Sequence, residues 1–303
     1  LELTRKIAEA YWRLWLIERT RAVQKDQKRL LEHFSALVRG RVEVGQATLA
    51  DLGQIDLSVS RVADTLAGLD EQERVAKAAL VAAVGAPPGT KTPILDEAPP
   101  LVLHAEPEKA LLSSAVEHPR VRVFGFLAEA QAHRARAAGA DAYPSFTLGV
   151  DYIETGPAVM PDVADSGKDA IIAMVGAKLP LWGGSYQADQ EEARAESQAH
   201  RAREAAARDQ AVADLEKALS DVRDAARRAK LHRDTLLPQA ETVYVSGLGA
   251  YQVGRSPLAS VILAQRELID IQLAFDRALA DHALAWARLE EVVGRPVRSR
   301  RAP

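Results

Sequence analysis

The stretch VEVGQATLAD at residues 42–51 returns, altered, as YQVGRSPLAS at residues 251–260. The copies align without a gap at an offset of 209 residues, the distance from Gly45 to Gly254. Val44-Gly45 falls on Val253-Gly254, Leu49-Ala50 on Leu258-Ala259, and Val84-Gly85-x-Pro87 on Val293-Gly294-x-Pro296. Solenoid units recur every roughly 20 to 50 residues, so this spacing points instead to a duplicated half-protein. In each phrase the glycine suits the left-handed conformation that ends a helix. In the second, Ser256 is placed to cap the next helix and Pro257 to enter its first turn, where no backbone N–H is needed. Each phrase is therefore expected to be the turn of a tight antiparallel helical hairpin.

The flanks carry a seven-residue pattern. After the second turn, Val261, Leu268, Phe275, His282 and Leu289 form one stripe, with Ala264, Ile271, Ala278, Ala285 and Val292 between them. After the first, Leu52, Val59, Leu66, Glu73 and Leu80 alternate with Ile55, Val62, Leu69, Ala76 and Ala83, so Glu73 and His282 are polar intruders at one repeat position. A seven-residue repeat favours helices that supercoil left-handedly about partners. Helices are expected over residues 2–42, 47–84, 108–140 and 184–247, the last bent at Pro238, with a Pro/Gly-rich connection over 85–107. At about 1.5 Å per residue, a run of about 60 residues reaches roughly 90 Å, more than an ordinary globular domain needs.

The period changes between the third and fourth helices. In PSFTLGVDYIETG, Phe146, Leu148, Val150 and Tyr152 alternate with Ser145, Thr147, Gly149 and Asp151, a strand with one dry and one wet face. A polar loop containing Met160 follows, then the β-like run AIIAMVGAKL, ended by Pro180. Each run has about the 9–11 residues that a tilted strand needs to cross a bilayer. Two strands alone are marginal in water, so they require partners. The fold class is thus mainly α with a small β part.

Low aromatic content (5%) favours long helices over an aromatic core, and a net charge of −3 argues neither for a nucleic-acid footprint nor for an acidic tail. The absence of cysteine removes disulfides, thiolate metal sites and Cys nucleophiles together. No apolar run reaches the roughly 18–20 residues of a spanning helix. The histidines, at 33, 104, 118, 133, 200, 232 and 282, form no close pairs at metal-ligand spacing, and two methionines are too few for a soft-metal relay. There is no phosphate-binding glycine loop, nucleophile elbow or zinc motif, so neither an enzyme nor a cofactor is expected. Trp12, Trp15 and Trp286 read as packing residues, and Trp182 as either packing or an interface anchor. The chain opens LELTRKIAEAYW, already mid-helix, which leads to the expectation that its natural N-terminus lies upstream.

Taken together, HPRVRVFGFLAEAQAHRARAAGA, YPSFTLGVDY, GAKLPLWGGSYQADQEEARA, LLPQAETVYVSGLGAYQVG and LEEVVGRP, with the first-half VGQATLAD and VGAPP, resemble the TolC-like outer-membrane efflux family along essentially the whole chain. The resemblance implies a homotrimer in the outer membrane of a Gram-negative bacterium, with strands in one shared β-barrel and helices in a periplasmic α-barrel. It implies partners too: a periplasmic adaptor protein, outer-membrane lipid and, indirectly, an inner-membrane pump, with no nucleic acid. The domains expected are a helical hairpin (1–87), an equatorial connection and helix (88–143), a strand pair (144–180), a second helical hairpin (181–296) and a basic tail (297–303).

The resemblance makes the tips, with Gly45, Leu49, Gly254 and Leu258, the place where adaptor hairpins dock; the plainer alternative is a pair of turn glycines. Asp51 stands where the family often has an acidic pore-constricting residue, yet it is also an acid in a first helical turn, where the helix dipole favours it. Its counterpart is Ser260, which leaves no acidic ring in the second half, and Arg255 is a candidate partner for Asp51 across neighbouring hairpins. Pro144 and Pro180 mark the crossover from strand to helix. The rival reading is a structural coiled-coil module, an adaptor hairpin or tether, which accounts for the heptads but not for the strands.

Overall fold

The computed structural model describes residues 2–92, 97–157, 167–181 and 183–301. Met160 and Trp182 lie outside the described residues. The fold is mainly helical with a small sheet part. The chain divides into two compact units, Leu1–His118 with Ala211–Pro303, and Pro119–Gln210.

In the first unit, α1 (Glu2–Glu43) and α2 (Leu49–Ala83) form the first expected hairpin. Gly45 has φ 72° and closes a Schellman turn, its N–H on the Val42 carbonyl (3.0 Å) and the Gln46 N–H on that of Arg41 (2.7 Å). The second hairpin repeats this at the same offset. Gly254 has φ 73° and donates to Tyr251 (3.0 Å), while Arg255 donates to Ala250 (2.8 Å). The duplication seen in the sequence is therefore also a duplication of backbone hydrogen bonds.

The helix starts differ from expectation. Helix α7 (Leu258–Val293) has Pro257 at its N-cap and no side-chain cap; the Ser256 hydroxyl reaches only the neighbouring Pro257 carbonyl, at 3.5 Å. The first copy has the real cap. The Thr48 hydroxyl accepts from the Asp51 N–H at 3.1 Å, and the Asp51 carboxylate accepts from the Thr48 N–H at 3.1 Å, a reciprocal capping box. Proline before a helix fixes the backbone by itself, so a hydroxyl beside it adds little.

The expected helix over 108–140 is two helices, α3 (Glu108–Val116) and α4 (Pro119–Asp141). Pro119 lacks an N–H and disfavours helical geometry at the residue before it, so the helix stops and restarts there. The basic tail is not loose either. Strand β4 (Ser299–Arg301) pairs antiparallel with β1 (Val102–His104), inside the segment expected to be plain connection. Glu106 clasps this end: its carboxylate accepts from the Arg295 guanidinium at 2.8 and 3.0 Å and from the Arg298 N–H at 2.8 Å. Arg295 and then the Arg298 amide hold the Glu106 carboxyl down to about 2.

The predicted bend at Pro238 takes a specific form. Helix α5 (Gly183–Leu231) passes through a π-helical turn (His232–Leu236) into α6 (Leu237–Gln252), with the Leu237 N–H on the His232 carbonyl. Widening the turn accommodates a proline ring that would clash with an α-helical carbonyl one turn back.

Four of the buried residues in α2 follow one of the two stripes, Ile55, Val62, Leu69 and Ala76 at strict seven-residue steps, and Leu80 of the other stripe and Val81 are buried at its end. Helix α7 also buries Gln265 and Asp276, polar residues absent from either apolar stripe. Asp276 is 3% exposed and accepts from Arg19 Nε of α1 at 3.2 Å. Trp15, with Trp12 against it, packs on Ala229 and Ala278–Ala280, and Trp286 packs beside Leu289, as expected of packing residues. Both polar intruders reach another element. Glu73 accepts from Arg21 of α1 at 2.7 Å, and His282 meets the Val102 carbonyl of β1 at 2.8 Å.

Two aligned glycines separate by their surroundings. Gly85 has φ 69° with open space where a Cβ would stand; Gly294 has φ 79°, and its Cβ would meet His118 Cδ2 at 2.7 Å. Gly85→Ala should cost about 1 kcal/mol of left-handed strain. Gly294→Ala should cost about 2–4 kcal/mol, because a clash of the overpacking kind adds to that strain. Urea unfolding of the two variants checks the difference.

In the second unit, α4 packs on the start of α5 through small residues. Val121, Ala128 and Ala135 of α4 are buried at seven-residue steps, and Ala193 and Ser197 of α5 are buried too. Ser197 Oγ donates to the Ala128 carbonyl (2.8 Å) and Gln190 Nε2 to that of Ala135 (3.3 Å), so two side chains clamp one helix to the other. Strands β2 (Ser145–Ile153) and β3 (Ala170–Lys178) pair antiparallel from Ser145↔Lys178 to Ile153↔Ala170.

Candidate functional site

The strand pair and the helical tips carry the features that the core does not explain. Residues directly opposite in an antiparallel pair share a face. The register therefore joins Phe146, Leu148, Val150 and Tyr152 of β2 with Ala177, Val175, Ala173 and Ile171 of β3 on one face. All eight lack burial in any core; Leu148 is 80% and Val175 78% accessible. The other face carries Ser145, Thr147, Gly149, Asp151 and Lys178 along with Ile153, Ile172 and Met174. A contiguous apolar face of this kind marks an interaction surface for another protein or for lipid. Pro144 and Pro180 flank the open end of the pair, immediately outside Ser145 and close after Lys178. Among the described residues no helix is long and apolar enough to cross a membrane.

The two tips pack side by side. Phe34 and Val38 of α1, Ile55 of α2 and Leu258 of α7 form one buried cluster, with Leu248 and Tyr251 of α6 against it. The Arg41 guanidinium sits over the Tyr251 ring, 4.9 Å from its centroid. This contact divides residues that the 209 offset treats as equivalent. Leu258 is 5% exposed inside the cluster, whereas Leu49 is 76% exposed. Of the two tip leucines, only Leu49 is free to meet another molecule. Gly45, Gly254, Arg255 and Ser260 are also exposed.

Asp51 is occupied within its own turn. Thr48, first through its side chain and then through its backbone, holds the Asp51 carboxyl below the ordinary carboxylate value. Among the described residues no ion pair joins Asp51 to Arg255 within one chain, and Ser260 follows Arg255 in the first turn of α7. The Glu106–Arg295 clasp and the Arg19–Asp276 pair escape sequence reasoning because their partners stand 189 and 257 residues apart.

His282 is 1% exposed, and burial lowers its pKa although the Val102 carbonyl pulls the other way. A carbonyl only accepts, so Nε2–H of His282 donates to it. As the pH falls through about 6.5, the unfolded chain takes up a proton that the folded chain refuses, so stability drops. His282→Gln should flatten this part of the Tm-against-pH curve between about pH 7.5 and 5.

The family model described as outer membrane efflux protein matches residues 113–295, more than half of the chain. The chain belongs to that family. Membership places it in the outer membrane of a Gram-negative bacterium, with a large periplasmic helical part.

Outer membrane efflux protein BepC of Brucella suis biovar 1 (strain 1330) is 22% identical over 287 residues, covering 94% of this chain. The chain spans 62% of the length of BepC. The crystal structure of the outer membrane protein VceC from Vibrio cholerae matches with a TM-score of 0.81 at 22% identity, over 98% of this chain and 71% of that one. The open state of the Neisseria gonorrhoeae MtrE outer membrane channel matches with a TM-score of 0.80 at 18% identity, over 97% and 66% of the two chains. At these identities the two structures establish the shared fold.

Proposed function

We propose that this chain is one stave of a channel, the passive exit duct of a tripartite export system. Three copies close a shared β-barrel through β2 and β3, which cross the outer membrane, and the helical hairpins form a periplasmic tube. The observation that carries this reading is the unbroken apolar face of the strand pair, exposed on a protein whose helices have buried cores of their own. Lipid covers that face, and the face with Ser145, Thr147 and Asp151 borders the aqueous lumen. Unpaired strand edges cannot be satisfied in hydrocarbon, so the two strands require further strands, those of neighbouring copies among them. Pro144 and Pro180 mark the crossover between barrel and helices.

In the helical part, the tips with Gly45, Leu49 and Gly254 meet a periplasmic adaptor protein, with Leu258 as a strut beneath them. Asp51, Arg255 and Ser260 are the candidates for a constriction that opens there. An inner-membrane pump supplies energy and selects the cargo, and the duct performs no chemistry on it. The sequence-derived boundaries (1–87, 88–143, 144–180 and 181–296) correspond on this reading to first hairpin, equatorial part, barrel strands and second hairpin.

Full-length protein purified from outer membranes should run as a detergent-stable trimer and conduct ions in planar bilayers; a water-soluble, non-conducting monomer would overturn the reading. Leu49→Asp should weaken adaptor binding by about tenfold or more, as expected for an anchor residue, and leave the trimer and its Tm unchanged. Unaltered adaptor affinity would remove the docking role from this tip.

A further inference from the structure

The face of α7 toward α1 and α2 is dry at both ends and mixed polar and apolar between them. At the tip, Leu258 packs with Phe34, Val38 and Ile55; farther along, Ala278–Ala280 pack on Trp15 and Ala229. The stretch between borders two cavities that meet at Asp270. One, of about 260 Å³, has Gln24 and Gln27 of α1, Ser58 and Arg61 of α2, and Gln265 of α7 in its wall, beside apolar residues such as Ile269. The other, of about 470 Å³, is lined by Thr20, Gln72 and Arg277 and by His232, the first residue of the π-helical turn. Gln265 is 3% exposed, yet among the described residues its Nε2 has no protein partner, and neither does the buried Nδ1 of His232. Groups left this way are destabilising unless water reaches them, and both cavities are partly open, carry polar side chains beside these groups and are roomy enough for it.

We propose that residues 262–277 of α7 form a hydrated joint on which the tip end of the bundle turns against the end held by α3, β1 and β4. Sliding a dry, interlocked surface forfeits its packing, whereas hydrogen bonds to water exchange partners at little net loss. The facing helix is weakened at the same level. The π-helical turn that begins at His232 has i→i−5 bonding, and Pro238 just beyond it has no N–H to donate. The joint stands by itself; its use in opening the tip rests on the channel reading.

Hydrogen exchange on the membrane-purified protein tests it. Amides of residues 262–277 should exchange about tenfold or more faster than those of residues 279–293, since a stretch with less dry packing opens at lower cost. Gln265→Leu should slow the joint by about tenfold and lower open probability in bilayers. Equal protection along α7, or an unchanged rate in Gln265→Leu, would overturn the proposal. If that variant misfolds, a second one decides. These 303 residues contain no cysteine, so Thr65→Cys with Arg266→Cys, bridged by a bismaleimide across the 260 Å³ cavity, labels only this site within them. The bridge should slow exchange at the tip, and an unaffected tip would refute the joint. A wild type that exchanges as expected but does not conduct would sink the channel reading and leave the joint intact.

Discussion

Val175→Arg should abolish assembly in the outer membrane. Val175 stands near the middle of β3, opposite Leu148, on the face that holds the eight apolar and aromatic residues. If that face meets lipid, an arginine near the bilayer midplane costs about 2–4 kcal/mol per copy, and every copy in a closed barrel bears it. The internal control is Thr147→Arg. Thr147 neighbours Leu148 in the strand and so points to the opposite face at nearly the same depth. That variant should insert and trimerise normally while changing single-channel conductance and ion selectivity. The measurement is the fraction of heat-modifiable trimer in outer-membrane preparations. Equal loss in both variants would mean that the two faces are not lipid and lumen.

Leu289→Ala is the substitution with the largest expected effect on the helical part. Leu289 is fully buried where α7 meets α3 and the second half of α5, against Leu111, Leu215, Leu219 and Val222. Truncating the side chain there loses transfer free energy and leaves a cavity, about 2–5 kcal/mol together. The control is the same substitution on the same helix. Leu263 is 68% exposed, and Leu263→Ala should stay within about 0.5 kcal/mol of the wild type. Urea unfolding followed by helical circular dichroism separates them. A small effect at Leu289 would mean that this end of the bundle collapses onto the gap.

Much of this architecture is legible in the sequence because the relevant signals act within a turn of the chain. Gly45 and Gly254 end their helices because only a residue without Cβ takes the left-handed conformation freely. The alternation in 145–153 orders the strand faces because its period is that of the pleat. Where structure and expectation part, two local signals compete. Pro119 breaks a helix that apolar spacing alone carries through it, and Ser256 resembles a cap that Pro257 makes unnecessary. At the tips, the two leucines at equivalent positions read alike, and no local pattern tells them apart.

The sequence by itself therefore determined the hairpins, their duplicated turns and the two-faced strand pair, all set by backbone preference and side-chain period over a few residues. Only the tertiary structure decided that Leu258 is buried and Leu49 free, that His282 serves β1, that Arg295 holds Glu106, and that Asp276 lies under Arg19. Burial and pairing depend on which distant surface arrives at a residue. For these last three pairings that surface comes from about 180 to 260 residues away along the chain, beyond the reach of any local periodicity.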